Sequence, residues 1–180
     1  MDEGDILASE ELQLTGSETA DLLGEAVAKK AALMLPETLK KIAAGTITAK
    51  AQDHSMASYC KLISRDDGII DWSKSAAEIE AAIRAFTPWP LCRTFHNERE
   101  LYILKAGVYK GDFQYNPEKG AGHVLGTDKQ YGILIQTGEG ILAASELQYH
   151  AKKALFWRDF LNGARDFSGA QFNIRGSYGF

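Results

Sequence analysis

Little in this chain of 180 residues can carry redox or metal chemistry. Its two cysteines, Cys60 and Cys92, are too few for a disulfide framework and are expected to be reduced thiols. The four histidines, His54, His96, His123 and His150, stand far apart, and none forms a HExxH or CxxC-type ligand set. No metal is therefore expected. No apolar run approaches the roughly 20 residues of a membrane span, so no membrane partner is expected either. The opening Met1-Asp2-Glu3-Gly4-Asp5 lacks the basic-then-apolar order of a secretory signal. A net charge of −4 argues against a dedicated, strongly basic nucleic-acid binder.

What is present suits a water-facing fold with a core: 45% hydrophobic and 24% charged residues. Charge is unevenly spread. Residues 1–60 hold 10 Asp and Glu against 5 Lys, while the remainder is almost balanced, a weak hint of different partners for each part. Residues 1–14 alternate loosely and suggest a strand. Thr15-Gly16-Ser17-Glu18 has capping-box spacing, which places a helix start at Thr15, and Leu22, Leu23, Ala26, Val27, Leu35, Leu39 and Ile42 follow at helical spacing. Pro36 should kink that helix or begin a second one, and Gly45 should end it. About 45 such residues cannot bury enough surface to stand as a domain. They either pack on the rest of the chain or form the tail of a domain whose beginning is absent.

Residues 46–70 are polar, aperiodic and contain Asp66-Asp67-Gly68, the marks of a linker. Ser75 and Glu78 then form a second capping box, ahead of Ile79, Ile83 and Phe86 at helical spacing, and Thr87-Pro88 should stop that helix. From Leu91 the period becomes two. Arg93–His96, a turn at Asn97-Glu98-Arg99 and Leu101–Leu104 read as a hairpin. Gly122–Leu125, Gly132–Ile135 and Gly140–Leu142 read as further strands, and Phe156–Leu161 as a last helical turn or two. Short strands with glycine corners imply a small antiparallel barrel, OB-like in type. The tail from Asp166 to Phe180 carries no assignable pattern.

The run Lys61-x-Ile63-x-x-Asp66-Asp67-Gly68-x-Ile70-Asp71-Trp72-Ser73, followed by Ile83-Arg84-Ala85-Phe86-Thr87-Pro88-Trp89-Pro90, closely resembles the linker and C-terminal domain opening of bacterial methionyl-tRNA formyltransferases. Later pieces match in order: Gly122–Leu125, Thr137–Leu142, Leu147-Gln148, Lys152-Lys153 and Asp159–Gly163. The resemblance implies an α/β piece, the end of a Rossmann-like formyltransferase domain, over residues 1–47. It further implies a linker over 48–66 and an OB-like, tRNA-binding barrel over 67–180. It implies formyl transfer from 10-formyltetrahydrofolate to the amino group of methionyl initiator tRNA, in the cytoplasm, at translation initiation, by a monomer. Of the family's Asn, His and Asp, only the Asp carries over, to Asp2, with Asp5 as the alternative. The stretch that bears the other two, with its Ser-Leu-Leu-Pro sequence, does not occur here.

Each candidate has a plainer reading. Asp2 alone is a solvated carboxylate. Trp89 could stack on a base, but a Pro-Trp-Pro corner more often packs a helix end on a barrel. Arg84 is expected to support that corner rather than to hold phosphate. Lys61 and the Lys152-Lys153 pair are the candidates for phosphate contact, against the reading of a solvated face. Thr137-Gly138-Glu139-Gly140 lacks a following helix and Lys-Ser/Thr, and so reads as a hairpin turn rather than a phosphate loop. Two rival functions stand beside the first: an aminoarabinose-type nucleotide-sugar formyltransferase fragment, and a non-catalytic OB-type RNA-binding module.

The tetrahedral oxyanion of formyl transfer needs preorganised donors, which the absent Asn and His would supply. The chain alone is expected to be inactive; formyl-donor turnover dependent on methionyl-tRNA would contradict this.

Overall fold

The computed structural model describes residues 3–116, 118–164 and 166–172, and divides into two compact units, up to Leu62 and from Ile63 onward. In the first unit α1 (Ala20–Ala43) is a single helix of 24 residues that starts after Thr19, not Thr15. The Thr15–Glu18 bonds do form, with the Thr15 amide donating to Glu18 Oε1 at 2.8 Å, but they close a turn ahead of the helix. Pro36 lies inside α1 without dividing it, since proline removes only its own N–H from the ladder. The expected strand is reduced to one antiparallel bridge, in which Ile6 and Lys50 exchange amide hydrogen bonds of 2.8 and 2.9 Å. Leu23, Ala26, Lys30, Met34 and Thr38 are half-buried along one stripe, and Lys30 reaches the Glu10 carboxylate. No residue of α1 is fully buried.

The second unit is better covered. Its helix α2 (Ala76–Ala85) begins with the expected capping box, Ser75 accepting from the Glu78 amide and Glu78 from the Ser75 amide. Ile79 and Ile83 are buried on its inner face. Six strands follow: β1 (Cys92–His96), β2 (Arg99–Val108), β3 (Val124–Asp128), β4 (Gly132–Gln136), β5 (Ile141–Tyr149) and β6 (Leu155–Phe156), then α3 (Trp157–Gly163). The β1–β2 turn has positive φ at both Asn97 and Glu98, the two-residue hairpin geometry whose twist matches that of the strands.

All ladders are antiparallel, in the order β1-β2-β5-β4-β3, with β6 also paired to β5. β1 and β3 share no ladder, so the described residues form an open six-stranded sheet and not the closed OB-like barrel expected from the sequence. Short segments occupy the edges instead. The Ile70 amide bonds to the Arg93 carbonyl beside β1 (2.8 Å), and Val124 of β3 bonds to the Ala170 carbonyl (2.8 Å). Five of the six strands were readable from the alternation, while β6 includes Phe156, which was expected to open helical turns; closure depends on non-local edge pairing that alternation does not encode.

The core gathers around Trp72. Its ring is 1% exposed, lies 5.4 Å from the Phe172 ring, and donates its indole N–H to Thr94 Oγ1 at 3.0 Å. The β4–β5 turn closes over the same segment: the Gly138 amide donates to the carbonyls of Trp72 (2.8 Å) and Lys74 (2.9 Å), and the Ala76 amide donates to Glu139 (2.8 Å). Thr137–Gly140 is thus a hairpin turn whose Thr137 and Gly138 amides are spent inside the protein. Nearby, His96 is buried among Tyr149, Phe167 and Phe172, and burial pulls its pKa below the ordinary histidine value.

A Cβ at Gly138 would run into the Ser73 carbonyl, whereas nothing lies within 4 Å of one at Gly163. Gly138→Ala should therefore destabilise the second unit by roughly 3 kcal/mol, in the range of severe steric lesions, and Gly163→Ala should be near neutral. Urea midpoints of the two variants check this.

Candidate nucleic-acid interface

Lys152 and Lys153 sit in the turn between β5 and β6, held by Gln148 Nε2 donating to the Lys152 carbonyl (2.6 Å) and by the Lys152 amide donating to Tyr149 (2.9 Å). Both lysines are exposed, and neither forms an ion pair among the described residues. Their heads can follow a phosphate without breaking an internal bond. Lys61 is also exposed but belongs to the first unit, whereas the pair belongs to the second. Asp2 lies outside the described residues; Asp5 is exposed.

One supporting residue sits otherwise than expected. Trp89 is 59% exposed rather than packed. The corner is anchored by its neighbours: Pro90 is buried, and the Leu91 amide returns to the Phe86 carbonyl at 2.9 Å. Both Thr87-Pro88 and Trp89-Pro90 are cis. Arg84, as expected, is not a free phosphate ligand, because Glu80 one turn earlier holds it through bonds of 2.7 and 3.1 Å.

A charge cluster that no sequence motif marks lies at the β1–β2–β5 end of the sheet. Arg93, 5% exposed, pairs with Glu100 at 3.0 Å and Asp66 at 3.1 Å, and donates to the Arg65 carbonyl. Arg65 and His150 also approach Glu100, at 2.9 and 3.3 Å. The Glu100 carboxylate raises the pKa of Arg65, and burial raises that of Tyr102. These partners are 27 or more residues apart except within the hairpin, so no local spacing reveals them. Here the cations are neutralised internally, and the cluster clamps residues 65–66 to the sheet. Lys152 and Lys153, by contrast, carry positive charge with no ion pair among the described residues.

The described residues contain no cluster of three or more His, Cys, Asp or Glu able to hold a metal, and none of their helices is long and apolar enough to cross a membrane.

An antiparallel sheet with its helix held through Asp71-Trp72-Ser73 is the arrangement of a known class. The chain belongs to the formyl transferase C-terminal domain family, whose model matches residues 62–165. It is 47% identical over 165 residues to the methionyl-tRNA formyltransferase of Treponema denticola, covering 91% of this chain and 51% of that protein. Its identity to the methionyl-tRNA formyltransferases of Treponema pallidum and Alkaliphilus oremlandii is 42% and 36%, covering 91% of this chain and 50% and 51% of theirs. The chain thus spans about half the length of the curated relatives it matches. Among solved structures, HypX from Aquifex aeolicus matches with TM-score 0.64 at 14% identity, over 99% of this chain and 32% of that one. HypX in complex with tetrahydrofolic acid matches at 0.61 and 15%, over 89% and 28%. Those two likenesses concern the fold alone. The resemblance read from the motifs is borne out, and the relatives favour neither rival function.

Glu100 is 15% exposed and holds a buried guanidinium. Glu100→Gln should lower stability by about 3 kcal/mol, because Arg93 would be left buried with its main counter-charge removed. An unchanged urea midpoint would show that the pair contributes nothing.

Proposed function

We propose that this chain forms the C-terminal half of a methionyl-tRNA formyltransferase, and that its second unit holds the initiator methionyl-tRNA while residues outside the 180 perform the transfer. The 47% identity to the Treponema denticola enzyme over 91% of the chain carries the reading. In it residues 1–47 are the end of the catalytic domain, 48–66 the linker and 67–180 the tRNA-holding domain. The exposed α1 supports that assignment: Leu22, Val27, Leu35, Leu39 and Ile42 all lie open, as they would where further structure covers them. Asp2 would orient the family's His and favour its charged form.

10-Formyltetrahydrofolate is the proposed donor, and a fold relative binding tetrahydrofolic acid is consistent with this. The described residues build no site for it: the one carried-over catalytic position, Asp2, lies outside them, and the Ser-Leu-Leu-Pro stretch is absent. A monomeric protein of the cytoplasm, serving translation initiation, completes the reading.

On the RNA side, Lys61, Lys152 and Lys153 are the proposed phosphate contacts. If about three phosphates are touched, log affinity for initiator tRNA should fall against log salt with a slope of about −2 to −3. The double substitution Lys152→Ala/Lys153→Ala should flatten that slope by about 2. A slope near zero, or binding of a UDP-sugar in preference to tRNA, would refute the proposal.

A further inference from the structure

β6 carries an aromatic ring, Phe156, a few residues after the lysine pair. Phe156 is directly opposite Glu146 of β5, which is directly opposite Lys105 of β2, and cross-strand partners project from one face of a sheet. The ring is 48% exposed, while the next residue, Trp157, turns inward and is buried with Phe160. Beyond it Arg158 is fixed from two sides. Its Nη2 donates to the Lys129 carbonyl at 2.8 Å, and its guanidinium carbon lies 4.9 Å from the Trp157 ring and 5.9 Å from that of Phe156.

Lys129, in the β3–β4 turn, is thereby brought next to Arg158. Glu146 is matched by Lys105 at 2.7 Å, and Asp128 is occupied by the amides of Gln130 and Tyr131. Lys152 and Lys153 lie four and three residues before Phe156, and with Lys129 and Arg158 they are cations that form no ion pair among the described residues. A solvent-facing ring among unspent cations complements a nucleotide: an aromatic face for the base, positive charge for the phosphates on either side.

We propose that Phe156 is a stacking platform for an unpaired RNA base, with Arg158, Lys129 and the Lys152-Lys153 turn supplying positive charge for its phosphates. The inference rests on the tRNA reading above and adds to it a contact with a base. Stacking is indifferent to base identity, so the platform positions a looped-out or terminal nucleotide rather than reading it.

The test titrates the 180-residue chain with initiator tRNA and, separately, with a single strand of about twelve uridines, within the site sizes of single-strand binders. Phe156→Leu keeps an apolar side chain in β6 but removes the ring. It should weaken oligouridine binding about five- to a hundredfold with an unchanged salt slope, and Phe156→Trp should restore it. Arg158→Gln should instead reduce the slope by about one. The urea midpoint of Phe156→Leu should match the parent, since the side chain is half-exposed. If the parent binds tRNA and Phe156→Leu binds both RNAs equally well, the platform is refuted and the tRNA reading stands. If the parent binds neither RNA, both fall.

Discussion

Trp72, through its ring and its backbone carbonyl, joins three parts of the second unit that no single ladder connects. Its N–H reaches Thr94 on β1, its face meets Phe172 beyond α3, and its carbonyl accepts the Gly138 amide from the β4–β5 turn. The same turn supplies Glu139 as partner for the first amide of α2. Strand edge and closing segment are thus set against the Trp72 ring, and the turn that meets the helix start against its backbone. An aromatic of this size buries enough area to dominate its surroundings, provided its N–H is satisfied, as here. With that anchor in place, β5 can run its full length between β2 on one side and β4 and β6 on the other, which carries Lys152, Lys153 and Phe156 to their positions.

The first unit lacks any such anchor. Its 24-residue helix has a half-buried stripe against residues 6–11 but no fully buried residue, and large apolar side chains lie open along it. Isolated helices owe most of their stability in proteins to a buried face. The contrast between the units follows from the proposal that one is an almost complete tRNA-holding domain and the other the end of a larger one.

Legibility in the sequence followed the range of the interaction. The Ser75–Glu78 box and the Asn97-Glu98 turn are settled within four residues, and both stand where the sequence put them. Thr15–Glu18 shows the limit of such signals: the same bonds form, yet they close a turn before the helix instead of starting it. The covering of the sheet edges, the Asp66–Arg93–Glu100 clamp and the seat of Arg158 on Lys129 each join residues distant in the chain, and none leaves a periodic trace. Trp89 misled for a related reason. Its composition suits burial, but Pro90 and the Leu91–Phe86 hydrogen bond turn the loop so that the proline is buried and the ring is not. Of the candidate site, the lysine pair was legible because family motifs carried it; its aromatic neighbour was not, because exposure of a phenylalanine depends on strand register.

Native-state hydrogen exchange, resolved by segment, tests the central claim most directly, since protection reports how firmly each region is held. The account predicts strong protection in β2, β4 and β5 and weak protection along α1, with α1 gaining protection when the chain is joined to the upstream half of a relative such as the Treponema denticola enzyme. Protection of α1 equal to that of β4 and β5 in the chain alone would contradict it, marking residues 20–43 as part of a self-sufficient module rather than the end of a larger domain.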